Sequence, residues 1–106
     1  MFSNQEDFFF HNPLHCELFP AVRQMEAEII RMTCNLFNSP HGYGIITGGG
    51  TESLLMCVLA HRNYARKIKN VKEPNLVMSI TVHPGIVKAC RYLNVEPIKL
   101  PVDKNG

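Results

Sequence analysis

The sequence predicts an α/β fold in the order helix, short strand, helix, then a βαβ unit. Three observations carry this. Apolar residues recur at helical spacing from Pro20 to about Asn38. A β-branched run leads into three consecutive glycines, Gly48 to Gly50. Two short β-prone runs flank a third, roughly ten-residue helical stretch near the end. The 106 residues suffice for one small domain, and at 45% hydrophobic and 19% charged the composition is globular rather than disordered.

Residues 1–16 show no period. Phe8, Phe9 and Phe10 are too apolar for a free tail and are expected to pack on this chain or on a partner. The first helix is expected to open near Pro20, because proline suits the first helical position, and Glu17 lies just upstream, near the positive end of the dipole. Val22, Met25, Ile29, Met32 and Leu36 follow at spacings of three and four as its expected apolar stripe. Arg23, Glu26 and Glu28 fill other faces, and "NSPHGYG" supplies the breakers. Ile45, Ile46 and Thr47 form the short β-prone run. The second helix is expected from Glu52 to about Lys69, with Leu54, Leu55, Val58 and Leu59 on one side and Thr51 as N-cap. Arg66, Lys67 and Lys69 suit its C-terminus.

"LVMSI", residues 76–80, reads as a buried strand. Pro84 opens the third helix, with Ile86, Val87, Cys90 and Leu93 inward, and a second strand lies around residues 98–100. Strand, helix and strand in this order imply parallel pairing, and a sheet stopping there leaves a bare parallel edge.

Charge excludes several partner classes. The net charge is +2 with acidic and basic residues interleaved, so no basic stripe points to nucleic acid and no polybasic segment to a membrane surface. No apolar run approaches the roughly 20 residues of a membrane span, so no transmembrane segment is expected. The polar, acidic start is no signal peptide, and the chain as given is expected in the cytoplasm. Cys16, Cys34, Cys57 and Cys90 lack CxxC spacing and are expected to be buried free thiols. His11, His15 and Cys16 lie close together, but no second ligand pair has zinc spacing, so no metal site is expected. His41 and His61 read as surface residues, Lys88 and Arg91 as a solvated helix face, and His83 as a loop-end histidine.

The glycines raise the functional question. A β-run, a glycine turn and a helix form the architecture of a phosphate cradle: unpaired N–H groups point outward, the dipole adds positive charge, and glycine leaves the approach clear of a Cβ. Thr51 and Ser53 add hydroxyl donors. Two familiar versions are excluded. A P-loop needs Lys after its last glycine, where this chain has Thr-Glu-Ser, and no GxGxxG is present. The pattern leaves two readings open, an anion held at residues 49–53 or a tight strand-to-helix turn with close packing.

Three blocks, "NPLHCELFPAVRQMEAEIIRM", "ITGGGTESLLM" and "TVHPGIVKACRYLNV", in this order and at these spacings, resemble the N-terminal part of the large domain of the sphingosine-1-phosphate lyases. That family is pyridoxal-phosphate dependent, has the aspartate-aminotransferase fold, and is related to the group II amino-acid decarboxylases. The resemblance spans residues 12–103. It implies an N-terminal fragment of a pyridoxal-phosphate-dependent transferase-like large domain, with residues 1–16 as an N-terminal arm and 17–106 as the partial cofactor-binding domain. It implies pyridoxal phosphate as cofactor, with Gly50, Thr51, Glu52 and Ser53 at its phosphate and His83 stacked on its ring. Asn12 and His15 fall in a segment near the active site of the assembled homodimer. The family commonly has Ser at the position of Gly48 and a small residue such as Ala at that of Pro84.

The family's catalytic lysine directly follows a histidine, and this sequence contains no His-Lys pair. The family's sheet places its first strand at one end and its second and third at the other, so residues 44–47 would have no neighbour within this chain. The resemblance thus implies a truncated lyase-like protein, inactive alone. The complete enzymes cleave phosphorylated sphingoid bases to a fatty aldehyde and phosphoethanolamine by retro-aldol chemistry. Those of eukaryotes sit at the endoplasmic reticulum membrane. Two alternatives stand beside it: a non-catalytic chain that binds a full-length lyase subunit through residues 1–38, and a fragment of a pyridoxal-phosphate-dependent amino-acid decarboxylase.

Overall fold

The structure is a computed structural model that describes residues 20–104. The chain divides into two compact units, residues 1–46 and 47–106. Phe8 to Phe10, Asn12, His15 and Cys16 lie outside the described residues.

The described part of the first unit is helix α1, Pro20–Leu36, and the loop after it. Pro20 opens the helix as expected. Asn38 ends it in the left-handed region (φ 54°), and the Ser39 N–H returns to the Cys34 carbonyl at 2.9 Å. Asparagine tolerates this conformation because its short polar side chain costs little there. The loop then closes on the helix. Arg31 donates to the Pro40 carbonyl, and a Cβ on Gly42 would stand 3.0 Å from the Cys34 sulfur.

Of the expected apolar stripe only Val22 is half-buried. Met25, Ile29, Met32 and Leu36 are exposed, whereas Val22, Glu26, Ile30 and Cys34, one i+4 row, are half-buried. The loop covers Ile30 and Cys34, and periodicity cannot say which side of a helix a loop will cover. Residues 45–47 form no strand, and Ile45 and Ile46 are exposed. A β-prone run becomes a strand only when another backbone takes its hydrogen bonds, and no described segment does so.

The second unit contains α2 (Gly50–Lys67), β1 (Asn75–Ser79), α3 (Pro84–Leu93) and β2 (Glu96–Leu100). The strands pair in parallel, Asn75 opposite Glu96 through Ser79 opposite Leu100, as strand–helix–strand requires. Pro97 has no N–H to give, which suits a strand at the sheet edge. Asn94 (φ 52°) ends α3 with the Val95 N–H on the Cys90 carbonyl, and Asn70 (φ 55°) follows α2. Three asparagines in the left-handed region therefore follow the three helices of the described residues.

The buried core is Val58, Met78, Ala89, Cys90 and Val95, with Leu55, Leu76, Val82, Ile86, Val87 and Leu93 packed around it. The expected inward residues of α3 thus face this core. Arg62 ties the helices together by donating to the Leu93 carbonyl at 3.0 Å. The other sheet face is open: Val77 and Leu100 are 57% and 50% exposed. The cysteines divide. Cys90 is buried and Cys34 half-buried, but Cys57 is exposed, against expectation, because it lies one residue before Val58, the buried residue of α2.

Candidate functional site

The glycine turn is held by its own side chains. The Glu52 carboxylate accepts the Gly48 N–H at 2.7 Å, the Thr47 hydroxyl donates to the Gly49 carbonyl at 3.2 Å, and the Thr47 and Ser53 hydroxyls bond to each other. The Ser53 N–H makes the first helical bond, 3.0 Å to the Gly49 carbonyl. Gly49, not Thr51, is therefore the N-cap, and Thr51 is the second residue of α2. The correction has a local cause. Glu52, at the third helical position, reaches one residue further back than the glutamate of a capping box, to Gly48 rather than to the N-cap, and holds residues 47–49 outside a helix that starts earlier than its apolar residues suggest.

The N–H groups of Gly50, Thr51 and Glu52 stand at the helix start without intrahelical acceptors, and glycine at the N-cap has no side chain to accept from them. The Thr51 hydroxyl also bonds to no described residue. Neither backbone conformation nor internal packing calls for glycine at 49 or 50. Gly49 is extended (φ 166°, ψ 173°), which any residue adopts, and a Cβ at either position would meet nothing within 4 Å. Gly48 differs, since a Cβ there would stand 3.1 Å from the Glu52 carboxylate. The tight-packing reading thus applies to Gly48 alone. Open space, free N–H donors and the positive end of a helix fit a phosphate group.

A cleft of about 510 Å³ runs beside the turn, lined by residues 48–52 and by Gly85, Lys88 and Tyr92 of α3. Lys88 is exposed as expected, but it is not merely solvated: its ammonium lies 5.5 Å from the Tyr92 ring centroid, on the cleft wall. Lysine and tyrosine four apart on a helix were the available sequence signal.

His83 is the N-cap of α3, and its Nδ1 accepts the Gly85 N–H at 3.0 Å. The ring proton therefore sits on Nε2. Its backbone (φ −57°, ψ 131°) is the extended form required before proline, so Pro84 pre-sets the histidine as it starts the helix. Gly85 is glycine for a packing reason: a Cβ would stand 2.9 Å from His83 Nδ1 and 3.1 Å from Leu54 of α2. His83 itself lies outside the lining of the cleft that gathers residues 48–52.

A glycine turn opening a helix, followed by βαβ, is an α/β architecture with the shape and donors to suit a phosphate. The description "Pyridoxal-dependent decarboxylase conserved domain" matches residues 10–106, and the chain belongs to that family. It is 45% identical over 93 residues to a Drosophila melanogaster sphingosine-1-phosphate lyase, covering 87% of this chain and 17% of that protein. It is 42% identical over 100 residues to sphingosine-1-phosphate lyase 1 of Mus musculus, covering 93% and 17%. A probable L-tyrosine/L-aspartate decarboxylase of Methanospirillum hungatei is 36% identical over 87 residues, covering 82% and 22%. The solved sphingosine-1-phosphate lyase of Burkholderia pseudomallei superposes with a TM-score of 0.77 at 29% identity, covering 89% of this chain and 23% of that one. The chain therefore spans about a sixth of the length of its fly and mouse relatives. Pyridoxal phosphate is the cofactor of the complete enzymes.

Proposed function

We propose that this chain is the phosphate-holding, N-terminal part of the large domain of a sphingosine-1-phosphate lyase, with residues 1–16 as an arm and 17–106 as part of the cofactor-binding domain. The observation that carries the reading is the pair Gly49 and Gly50, which serve neither a strained turn nor an internal contact, have open space where a Cβ would stand, and begin a helix whose first N–H groups lack intrahelical acceptors. In this reading the N–H groups of Gly50, Thr51 and Glu52 and the Thr51 hydroxyl hold the cofactor phosphate. The Ser53 hydroxyl, bonded to Thr47, steadies the turn. The Glu52 carboxylate accepts only, so it shapes the turn rather than touching the phosphate. His83 stacks on the pyridine ring, and Asn12 and His15 lie on the substrate side. When bound, pyridoxal phosphate supplies an electron sink for bond cleavage beside an amine-bearing carbon.

The complete enzyme would be a homodimer at the endoplasmic reticulum membrane, cleaving a phosphorylated sphingoid base to a fatty aldehyde and phosphoethanolamine. Higher identity to the fly and mouse lyases than to the archaeal decarboxylase favours this substrate over an amino acid. The test is a chimera in which residues 12–103 replace the matching segment of the fly lyase, with and without Gly50→Val. Phosphate bonds of about 1.5–3 kcal/mol each predict cofactor affinity weaker by roughly ten- to ten-thousandfold for the loss of one or two. Unchanged affinity would assign the glycines to the turn alone and end the cradle reading.

A further inference from the structure

The end of α2 opposite the glycine turn leads into a loop of unusual composition. From Arg62 to Lys72 the chain holds five cations and no acidic residue. Whole-chain charge balance, which points away from a membrane surface, hides this excess. Arg62 donates to the Leu93 carbonyl, but Arg66, Lys67, Lys69 and Lys72 are exposed, and none is paired with a carboxylate among the described residues. The dipole of α2 accounts for Arg66 and Lys67 in its last turn. It accounts neither for Lys72, in the loop beyond, nor for the two aliphatic side chains set among the lysines, Ile68 at 67% exposed and Val71 at 41%. Backbone bonds fix the loop. Asn70 is left-handed, the Ile68 N–H reaches the Tyr64 carbonyl at 2.8 Å, and the Val71 N–H reaches the Ala65 carbonyl at 3.0 Å, which closes the helix end as a Schellman-type turn. Beside it a hollow of about 620 Å³ adds Arg91 to Arg66 and Lys72 on one wall, three cations against the two carboxylates of Glu73 and Glu96.

We propose that this loop, residues 67–72, is a contact site for the surface of an anionic phospholipid bilayer. Ile68 and Val71 enter the boundary between headgroups and acyl chains, where their apolar surface leaves water. Lys67, Lys69 and Lys72 stay level with the headgroup phosphates, their stems lying along the apolar zone. Exposed aliphatic side chains alone would fit any apolar partner, and cations alone any polyanion. Both kinds within six residues fit a surface that is anionic above and apolar below. A nucleic acid would pair with the lysines and leave Ile68 and Val71 in water. The proposal does not depend on the cofactor reading, because the 18 residues of α2 separate the loop from the glycine turn by about 27 Å.

The test is cosedimentation of the 106-residue chain with vesicles of phosphatidylcholine holding about 30% phosphatidylserine, and with phosphatidylcholine alone, in about 0.1 M salt. Binding to the anionic vesicles should be at least about tenfold stronger. Each lysine at an anionic surface is worth about fivefold, so Lys67→Gln, Lys69→Gln and Lys72→Gln together should weaken it about a hundredfold. Lys88→Gln, Lys99→Gln and Lys104→Gln together change the net charge equally but should weaken it less than about tenfold, because charges beyond about 10 Å are screened. Ile68→Ser keeps every charge and should weaken it about tenfold. All of these positions but none of the core are exposed, and far-UV circular dichroism should be unchanged in each variant. Equal losses in the two lysine triples, or no loss in Ile68→Ser, would overturn the proposal. So would equal binding to the two kinds of vesicle, or lysine-dependent binding to a single-stranded RNA that is tighter than binding to the anionic vesicles.

Discussion

The Glu52 carboxylate and the Gly48 N–H lie 2.7 Å apart, which makes Glu52 the side chain that shapes the start of α2. The bond is exposed to water, so its value is modest. Glu52→Ala should cost about 1 kcal/mol in urea unfolding, from the lost bond and the lost charge near the helix start. Glu52→Gln keeps an acceptor and should recover at least half of that. Equal losses for the two variants would show that the charge alone matters.

A side chain at Gly85 should cost stability. Its Cβ would press on His83 Nδ1 at 2.9 Å and on the Leu54 Cδ1 methyl at 3.1 Å, so Gly85→Ala must shift the capping imidazole and displace that methyl. A loss of about 1–3 kcal/mol is expected by chemical denaturation. By contrast, Gly50→Ala meets open space in this chain and should leave stability unchanged or slightly raised.

His83 should act on stability as a cap. His83→Ala leaves the Gly85 N–H without its side-chain acceptor and should cost about 0.5–2 kcal/mol, whereas His83→Asn, a good capping residue, should cost less. In the chimeric lyase, loss of ring stacking predicts a larger drop in turnover than in cofactor retention for both variants. Equal turnover in His83→Asn and wild type would remove the stacking role and keep the cap.

Cys90 links stability to alkaline pH. Burial raises its thiol above the usual thiol range, so the folded chain holds the proton more tightly than the unfolded chain does. As pH climbs through the ordinary thiol range the unfolded state loses its proton first, and stability falls. Cys90→Ala should flatten this slope, read as the difference between the two proteins in denaturant midpoints across the alkaline range. It should also lower stability throughout, because it leaves a small void in the core.

The uncovered sheet face should drive self-association. Val77 and Leu100 are 57% and 50% exposed on a two-stranded parallel sheet. Val77→Thr with Leu100→Lys should lower the association seen by sedimentation at rising concentration while leaving far-UV circular dichroism unchanged. Association unaffected by the pair would direct attention to the exposed stripe Met25, Ile29, Met32 and Leu36.

Local chemistry was enough to read most elements from the sequence. Pro20 and Pro84 open helices because proline loses nothing in a first turn, and Leu54, Val58, Ile86 and Cys90 repeat at helical spacing because each helix has one side to bury. The turn into α2 was legible from three glycines before a helix, and the parallel sheet from strand, helix and strand. Tertiary structure decided the rest. It left residues 45–47 unpaired, because a strand exists only beside another backbone. It turned the Met25 stripe outward, because the loop packs on Ile30 and Cys34 instead. It moved the cap from Thr51 to Gly49, because Glu52 found the Gly48 N–H, and it placed Lys88 beside the glycines. Spacing along the chain encodes which side of an element is apolar. What that side meets depends on distances between residues far apart in sequence, and only the folded chain sets those.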